Sequence, residues 1–470
     1  MVKKERRTKI IATIGPASSS ISVLIRMVRA GMSMARLNFS HGKHEEHAHL
    51  IRTIRAASKK ADIPVGILGD LQGPRIRIGE LPDHGIELRP RQSVILDVSV
   101  KEYEPGGSLP ITYALQKDVK AGDRIFIDDG LIEVEVKRVQ KTAVHCLVKM
   151  GGILTSHKGM NLPDTHVTAV AFTKKDREDL LFGLEHGIDW VALSFVATPE
   201  SVASVREIAA GYCRDIGRVP PKIIAKIERK EAVDHFHDIL EVVDGVMLAR
   251  GDLGIEVPFE EVPLIQKEFT EICRQAGKPI VIATHMLDSM SEHPRATRAE
   301  VSDVANAVID HADAVMLSAE TAMGKYPDIA VQTMASVITE VEASRFDDIS
   351  FYQIHCIPDI ATAFAQVMHT LAEHGQIQAI ATSASFGDLA QKINIFRPNV
   401  PIIIACESQE QAKQYLLRAG FQPVVLDDEP ATFIHRMERL IHDQRIIDKK
   451  SRVAYVIETA RGDVQLIIRG

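Results

Sequence analysis

The chain has 470 residues, 45% hydrophobic and 25% charged, with a formal net charge of -7. That length allows two or three domains of ~100–200 residues, the composition is that of a globular protein, and the acidic balance argues against a nucleic-acid binder, which carries a strongly basic face. Five scattered cysteines (Cys146, Cys213, Cys273, Cys356, Cys406) without a CxxC pair point to a reducing compartment and no disulfide framework.

The basic start "MVKKERRTKI" is followed only by the short "IIATIG", with no cleavage pattern. No stretch reaches the ~18 apolar residues of a membrane helix, so the cytoplasm is the expected location. Strand-like and helix-like segments alternate from there. "TKIIATIG" (8–15) precedes the amphipathic "SISVLIRMVRAG" (20–31), and "MARLNFSHG" (34–42) precedes "HEEHAHLIRTIRAASKK" (44–60). After "VGILGDLQG" (65–73) the rhythm breaks. From Pro74 to Asp164 the sequence is β-like, with turns rich in Gly, Pro and Asp. Alternation resumes with "KKDREDLLFGLEHG" and "WVALSFV" (190–196), a helix near 199–211, "KIIAKIE" (222–228) and a helix near 230–243. "GVMLARG" (245–251), a helix near 263–275, "PIVIATHM" (279–286), "RAEVSDVANAVIDH", "AVMLSAET" (314–321) and a helix near 328–343 complete the run.

Eight strand–helix units with one β insertion after the third are the pattern of a (β/α)8 TIM barrel. A doubly wound open sheet is the alternative, but no Gly-rich dinucleotide turn supports it. Beyond residue 345 a separate α/β series begins: helix 359–373, strands "AIATSA", "PIIIACE" and "PVVLDD", helix 431–443, and closing strands "RVAYVIE" and "DVQLIIR". The expected division is a barrel of 1–73 and 165–344, an inserted small β-barrel lid of 74–164, and a C-terminal open α/β domain of 345–470.

Activity in such a barrel belongs at the C-terminal ends of its strands. Polar residues fall there repeatedly: Arg36, Asn38, Ser40 and His41; Asp70, with Arg75 and Arg77 beyond; Ser194; Lys226 and Glu228; Arg250 and Asp252; Thr284; Ser318 and Glu320. Within "KIIAKIE", period two puts Ile224, Lys226 and Glu228 on one face. Either Lys226 and Glu228 form a structural ion pair, or they hold an anion and a metal at a strand end. Several arginines and a lysine favour an anion with several oxygens. Glu228 and Asp252 on adjacent strands suit Mg²⁺. No GxxxxGK[ST] run is present.

In chain order over 8–330, "TKIIATIGPAS", "GMSMARLNFSHG", "GDLQGPRIR", "FIDDGLI", "KGMNLP", "IIAKIE", "MLARGDLGIE", "GKPIVIATHML", "PRATRAEVSDVANAV" and "MLSAETAMGKYP" resemble the pyruvate kinases. The resemblance implies phosphoryl transfer from phosphoenolpyruvate to ADP, giving pyruvate and ATP. It makes Lys226 the catalytic lysine, Glu228 and Asp252 the ligands of Mg²⁺ (Mn²⁺ as the alternative ion), and Arg36 the phosphate-contacting arginine. The backbone at Gly251–Asp252 receives the substrate carboxylate, with Ser318 on the same side. Thr284 lies by the enolate carbon, acting through a water relay because its hydroxyl is a poor lone acid. Arg77 and Lys158 face the nucleotide, and Asn38, Ser40 and His41 serve the nucleotide and a monovalent cation. A homotetramer is the family's habit.

Two departures stand out. Potassium-dependent members carry a glutamate where this chain has Arg75, so a built-in cation is expected to make K⁺ unnecessary, with Asn38, Ser40, Asp70 and the Leu71 carbonyl as a vestigial pocket. The effector loop reads "TSASFGD" (382–388), with Asp388 opposing a phosphate, and "ETARGD" (458–463) lacks the usual Gly-Ser-Gly turn. Weak or absent activation by fructose 1,6-bisphosphate follows.

Lesser features have plainer readings. The four histidines of "HGKHEEHAH" (41–49) are read as a solvated helix start rather than zinc ligands. "DDG" (128–130) is read as a hairpin turn, and Met286, Met290, Met316 and Trp190 as packing. Two rival functions remain at this point: a Schiff-base aldolase using Lys226, and a non-catalytic nucleotide sensor that kept the fold.

Overall fold

Eight short strands close into a parallel barrel: Lys9–Thr13, Met34–Asn38, Gly66–Leu71, Trp190–Leu193, Lys222–Ile227, Gly245–Ala249, Ile280–Ala283 and Ala314–Leu317. Each pairs with the next in chain order, and the last with the first. The structure is a computed structural model describing residues 6–165, 172–347, 359–386, 388–426, 432–444, 446–448, 450–458 and 464–470. Strands buried on both faces need continuous apolar runs, and "KIIAT", "GVMLA", "IVIA" and "AVML" are such runs. Ile11, Met34, Leu68, Ala192, Ile224, Met247, Val281 and Met316 fill the interior. Their neighbours Ile10, Ala35, Ile67, Val191, Ile223, Val246, Ile280 and Val315 pack outward on the helices.

Helices start where the caps dictate. Thr173 with Asp176, and Thr297 with Glu300, form capping boxes opening Lys174–Glu185 and Arg298–Ile309. One expectation is corrected. The single helix near 230–243 is two, Lys230–Asp234 and Phe236–Val242, because His235 leaves helical angles (φ -105°, ψ 21°). A short helix, Arg250–Glu256, follows the sixth barrel strand directly.

The inserted lid contains a six-stranded sheet in the order Met160–Asn161, Arg124–Ile127, Ile132–Val139, Ala143–Met150, Ser93–Asp97, Leu109–Pro110. A two-stranded ribbon pairs Ile86–Leu88 with Gly152–Leu154. Ile78, Leu96, Ile125, Val134, Val144 and Cys146 give it a core of its own. Asp128, Asp129 and Gly130 turn the first long hairpin, all at positive φ (56°, 53°, 87°).

The C-terminal sheet runs Phe421–Val425, Ile402–Cys406, Ala379–Ser383, Val453–Glu458, Val464–Arg469, with only the last strand antiparallel. This domain plugs the barrel's N-terminal mouth. Leu416 and Leu417 join the barrel's interior cluster, and Trp190 Nε1 donates to Gln414 O (3.0 Å). Arg397 donates twice to the buried Asp313 (2.6 and 3.0 Å). The opposite mouth, beneath the lid, is left for chemistry. Cys146, Cys213, Cys273 and Cys406 are free and buried; Cys356 lies outside the described residues.

Candidate active site

The parity inferred for the fifth strand holds. Ile224 packs inside, and Lys226 follows it on the same face at the C-terminal mouth. Its Nζ lies 2.7 Å from Ser194 Oγ, 2.8 Å from Glu228 Oε1 and 3.3 Å from Asp70 Oδ1. Burial alone would push the Lys226 ammonium down; the charges of Asp70 and Glu228 outweigh it and hold it above the ordinary lysine value. Burial likewise works against ionised Asp70, but Lys226 and Arg36 keep its carboxyl below the usual range. Arg36 donates through Nε to Asp70 Oδ2 (2.7 Å) and through Nη1 to Thr13 Oγ1 (2.9 Å). Burial pushes Glu228 up; Lys226 opposes this, and the nearby charge of Asp252 adds to it. The ion pair is real, and it stands in a cleft.

That cleft, open to solvent and with about 500 Å³ of space, is lined by Arg36, Asn38, Ser40, Gln72, Arg75, Ser194, Phe195, Lys226, Glu228, Asp252, Thr284 and Ser318, with Met247, Ala249 and Met316 as apolar lining. Seven barrel strand ends, the second to the eighth, thus meet the same space. Asp70 and Leu71 sit behind the lining: the Leu71 carbonyl accepts from Ser194 Oγ (2.8 Å). Arg77 and Lys158 belong to the lid side, where Arg77 Nη1 donates to His157 O (2.8 Å) and Lys158 Nζ pairs with Asp128 (2.7 Å). His41 stands exposed at the edge. Partial burial, then the charges of Arg77, Arg75 and Arg36, push its imidazole down, which marks the mouth as electropositive.

Three predicted residues need correction. Arg250 does not face the cleft: its guanidinium is bound by Asp303 (2.6 and 2.7 Å), Gln266 (3.2 Å) and the Thr284 carbonyl (2.9 Å). Glu320 is buried and structural, accepting from Leu287 N (3.1 Å) and Ser318 N (2.7 Å), so it ties the seventh strand end to the eighth. His47 is not solvated; it is buried, bonded to His41 O (2.8 Å) and edge-on to Phe39. His44 is half-buried and bonded to Asp179 (2.7 Å).

Thr284 faces the cleft from a left-handed backbone (φ 69°), an uncommon state for a β-branched residue. Its hydroxyl donates to Ala283 O and accepts from Gly251 N, both at 2.7 Å. The Gly251 N–H assigned to a substrate carboxylate is therefore already partnered in this structure. Phe195 was not foreseen. At φ 56° it aims its N–H at Glu228 Oε2 (2.8 Å), and nothing in an aromatic side chain announces such a backbone.

Glu228 and Asp252 can hold a hard divalent ion. Both offer only oxygen, and the charge of Asp252 adds to the burial that pushes the Glu228 carboxyl up. Among the described residues no group of three or more His, Cys, Asp or Glu could hold a metal. An ion held by these two carboxylates would have few protein ligands, which suits Mg²⁺.

A lysine clamped between two carboxylates and kept protonated cannot act as a Schiff-base nucleophile, which needs a free amine. Fixed cations around a two-carboxylate ion site answer a different need, that of stabilising a migrating phosphoryl group. Fold and mouth together define a barrel phosphotransferase. Residues 5–331 match the family model "Pyruvate kinase, barrel domain", and 362–465 match "Pyruvate kinase, alpha/beta domain". Curated pyruvate kinases of Staphylococcus aureus strains MRSA252 and USA300 are each 40% identical over 477 aligned positions, covering 99% of this chain and 78% of theirs. A crystal structure of a pyruvate kinase from Cryptosporidium parvum aligns with a TM-score of 0.90 at 34% identity, covering 98% of this chain and 96% of that one. The chain belongs to the pyruvate kinase family. It transfers the phosphoryl group of phosphoenolpyruvate to ADP, giving pyruvate and ATP, the last step of glycolysis.

Proposed function

We propose that the residues of the cleft divide this transfer as follows. Lys226 keeps a fixed ammonium beside the migrating phosphoryl and the developing enolate, where charge appears in the transition state. Arg36, oriented by Asp70 and Thr13, binds the phosphoryl oxygens. Glu228 and Asp252 hold Mg²⁺ (or Mn²⁺), which when bound supplies charge neutralisation to the phosphoryl and carboxylate oxygens. The P–O bond of the enol phosphate breaks as one forms to the β-phosphate of ADP, and the enolate then takes a proton at its terminal carbon.

The substrate carboxylate takes over the Gly251 and Asp252 backbone, with Ser318 beside it. Taking the Gly251 N–H frees the Thr284 hydroxyl, which then relays the proton through water. On the nucleotide side stand Asn38, Ser40, His41 and Arg77, with Lys158 reaching in from the lid. The lid excludes water as a competing acceptor.

Potassium is not required in this reading. Arg75 Nη2 lies 3.5 Å from Asp129 and 3.9 Å from Asp252, so its charge stays in the cleft rather than in solvent. The oxygens of the vestigial pocket have protein donors already: Asn38 Oδ1 accepts from Ser40 N (3.1 Å), the Asp70 carboxylate takes Arg36 and Lys226, and the Leu71 carbonyl takes Ser194. We also assign a homotetramer, a cytoplasmic location, weak or absent activation by fructose 1,6-bisphosphate, and the domain division 1–73 with 165–344, 74–164 and 345–470. At the effector loop Asp388 is paired with Lys392 (3.1 Å), which itself binds Asp359 (2.6 Å), and Thr382 and Ser383 are buried. Gly387 and the "ETARGD" turn at 459–463 lie outside the described residues. Among the described residues no helix is long and apolar enough to cross a membrane.

The observation that carries the assignment is Lys226, held within 3.3 Å of Ser194, Glu228 and Asp70 at the wall of the cleft. A coupled assay with phosphoenolpyruvate, ADP and Mg²⁺ tests it on Glu228→Gln. Turnover should vanish while circular dichroism and the unfolding midpoint show an intact fold. Near-normal turnover would refute the role.

A further inference from the structure

The lid returns to the barrel through Met160–Asn161 and Leu162, and one barrel carboxylate clasps that return. Glu256, the last residue of the helix Arg250–Glu256, is 7% exposed. Its Oε1 accepts from Asn161 Nδ2 (3.2 Å), and the Leu162 N–H lies near enough to favour the charged form of the same carboxylate. Asn161 and Leu162 are themselves buried.

Both ends of this contact are rigidly placed. On the lid side, Met160 and Asn161 pair with Ile127 and Phe126, Met160 N donates to Ile76 O (2.9 Å), and the Gly159 carbonyl accepts from Asp128 N (3.1 Å). Lys158 is held in the same strand run, its carbonyl accepting from Ile78 N (2.9 Å). On the barrel side, Glu256 lies one helical turn beyond Asp252. A single buried group thus joins the segment bearing Lys158 to the helix bearing Asp252.

We propose that Glu256 is a positioning residue for the phosphoryl transfer: it clasps the lid's return strand to the helix that carries Asp252 and so sets where Lys158 and Arg77 stand over the cleft. This rests on the assignment of Lys158 and Arg77 to the nucleotide. The clasp depends on charge, because both lid partners are N–H donors and grip a carboxylate more firmly than a carboxylic acid. Burial pushes the Glu256 carboxyl up to about 7; Arg229 and Asn161 oppose this and Glu231 adds to it. Arg229 and Glu231, the charged groups that face it, pair with each other at 2.8 Å. The grip therefore tightens as pH rises through neutrality and slackens below it.

The test compares the full-length enzyme with Glu256→Gln, a permanently neutral group of the same size, between pH 6 and pH 8. At pH 8 the variant's KM for ADP should be about tenfold above the parent's, the loss of one charge-assisted bond. That ratio should fall toward one at pH 6, where the parent carries the proton too; taking a ratio cancels the titration of ADP itself. The KM for phosphoenolpyruvate and kcat should stay within about twofold, since the substrate side belongs to the barrel. A ratio that ignores pH, or equal shifts in both KM values, overturns the proposal.

Amide hydrogen exchange over 124–127 and 160–162 supplies a readout independent of turnover. Protection in the parent should rise from pH 6 to pH 8 beyond the intrinsic chemical rate, and Glu256→Gln should abolish the rise; equal behaviour of the two overturns the clasp. Should that variant fail to fold, the parent's exchange profile and Asn161→Ala decide on the same criterion. Lys158→Ala is measured alongside. An unchanged KM for ADP there overturns the nucleotide-side assignment, while exchange still judges the clasp.

Discussion

Lys226→Met separates a structural ion pair from a catalytic one, because the two roles predict different balances of stability and rate. The ammonium has three partners at 3.3 Å or less, in a side chain 10% exposed. Deleting one member of a buried pair costs about 3–5 kcal/mol when its partner stays charged. Here the partners have alternatives. Asp70 keeps Arg36 at 2.7 Å, and Glu228 keeps the Phe195 N–H at 2.8 Å. Glu228 is also pushed up by burial and by Asp252, so it takes a proton readily once Lys226 is gone. The net loss of stability should fall to about 1–3 kcal/mol. Rate should suffer more. Removing one preorganised donor from a site of developing charge costs ~10²–10³ in kcat, and a full cation at the phosphoryl places Lys226 at or beyond the upper figure. Saturating coupled assays, set against urea unfolding of the same preparation, give both numbers. A variant that loses stability but turns over within about tenfold of the parent shows that the lysine is only structural. Linkage fixes the sign in the parent. Lys226, held above the ordinary lysine value, gives its stabilisation at neutral pH and loses it as pH rises through its folded value; Asp70, held below the usual carboxylate range, gives its own at neutral pH and loses it as pH falls through its folded value.

With only bulky organic cations present, the parent should retain turnover and gain less than about twofold on adding K⁺, while Arg75→Glu should become K⁺-dependent; collapse of the parent in the K⁺-free assay rules out the substitution of one cation for the other. Fructose 1,6-bisphosphate should leave the phosphoenolpyruvate saturation curve unmoved, and a saturable leftward shift contradicts that. Gly73 opens the lid at φ +67°, and a Cβ there would meet the Ser194 carbonyl at 2.8 Å. Gly73→Ala should therefore cost about 1–3 kcal/mol in strain and lower kcat by displacing the serine that holds Lys226; an unchanged unfolding midpoint and kcat defeat this.

Much of the barrel was legible because each strand repeats one physical necessity: an apolar run buried on both faces and ended by polar residues. Parity carried the prediction as far as the strand itself runs. It put Ile224 and Lys226 on one face, and they share it. It turns Arg250 outward with Val246 and Leu248, opposite Met247, and it fails at Asp252, because the strand Gly245–Ala249 has ended and a helix has begun. In a helix each residue turns by about 100° rather than 180°, so Asp252 swings into the cleft while Arg250 stays on Asp303. Arginines at 36 and 250 look equivalent as polar strand ends; parity separates them, since Arg36 shares the face of interior Met34 and Arg250 lies opposite interior Met247. The split at His235 was hidden likewise, since its cause is one residue's backbone angles in an otherwise helical run.

The C-terminal half of the same short helix shows a further limit. "GIE" at 254–256 reads as a helix end with one more surface acid. What buries Glu256 is the lid's return strand, roughly a hundred residues earlier in the chain and brought there only because the insertion leaves the third barrel strand and comes back beside the sixth. No local pattern encodes that meeting. Propensity and periodicity report an element's own faces, whereas a carboxylate becomes a positioning group only when another domain takes its water away and offers N–H donors instead. The residues that join two domains are thus the ones a linear reading passes over, even where the residues within one domain are plain.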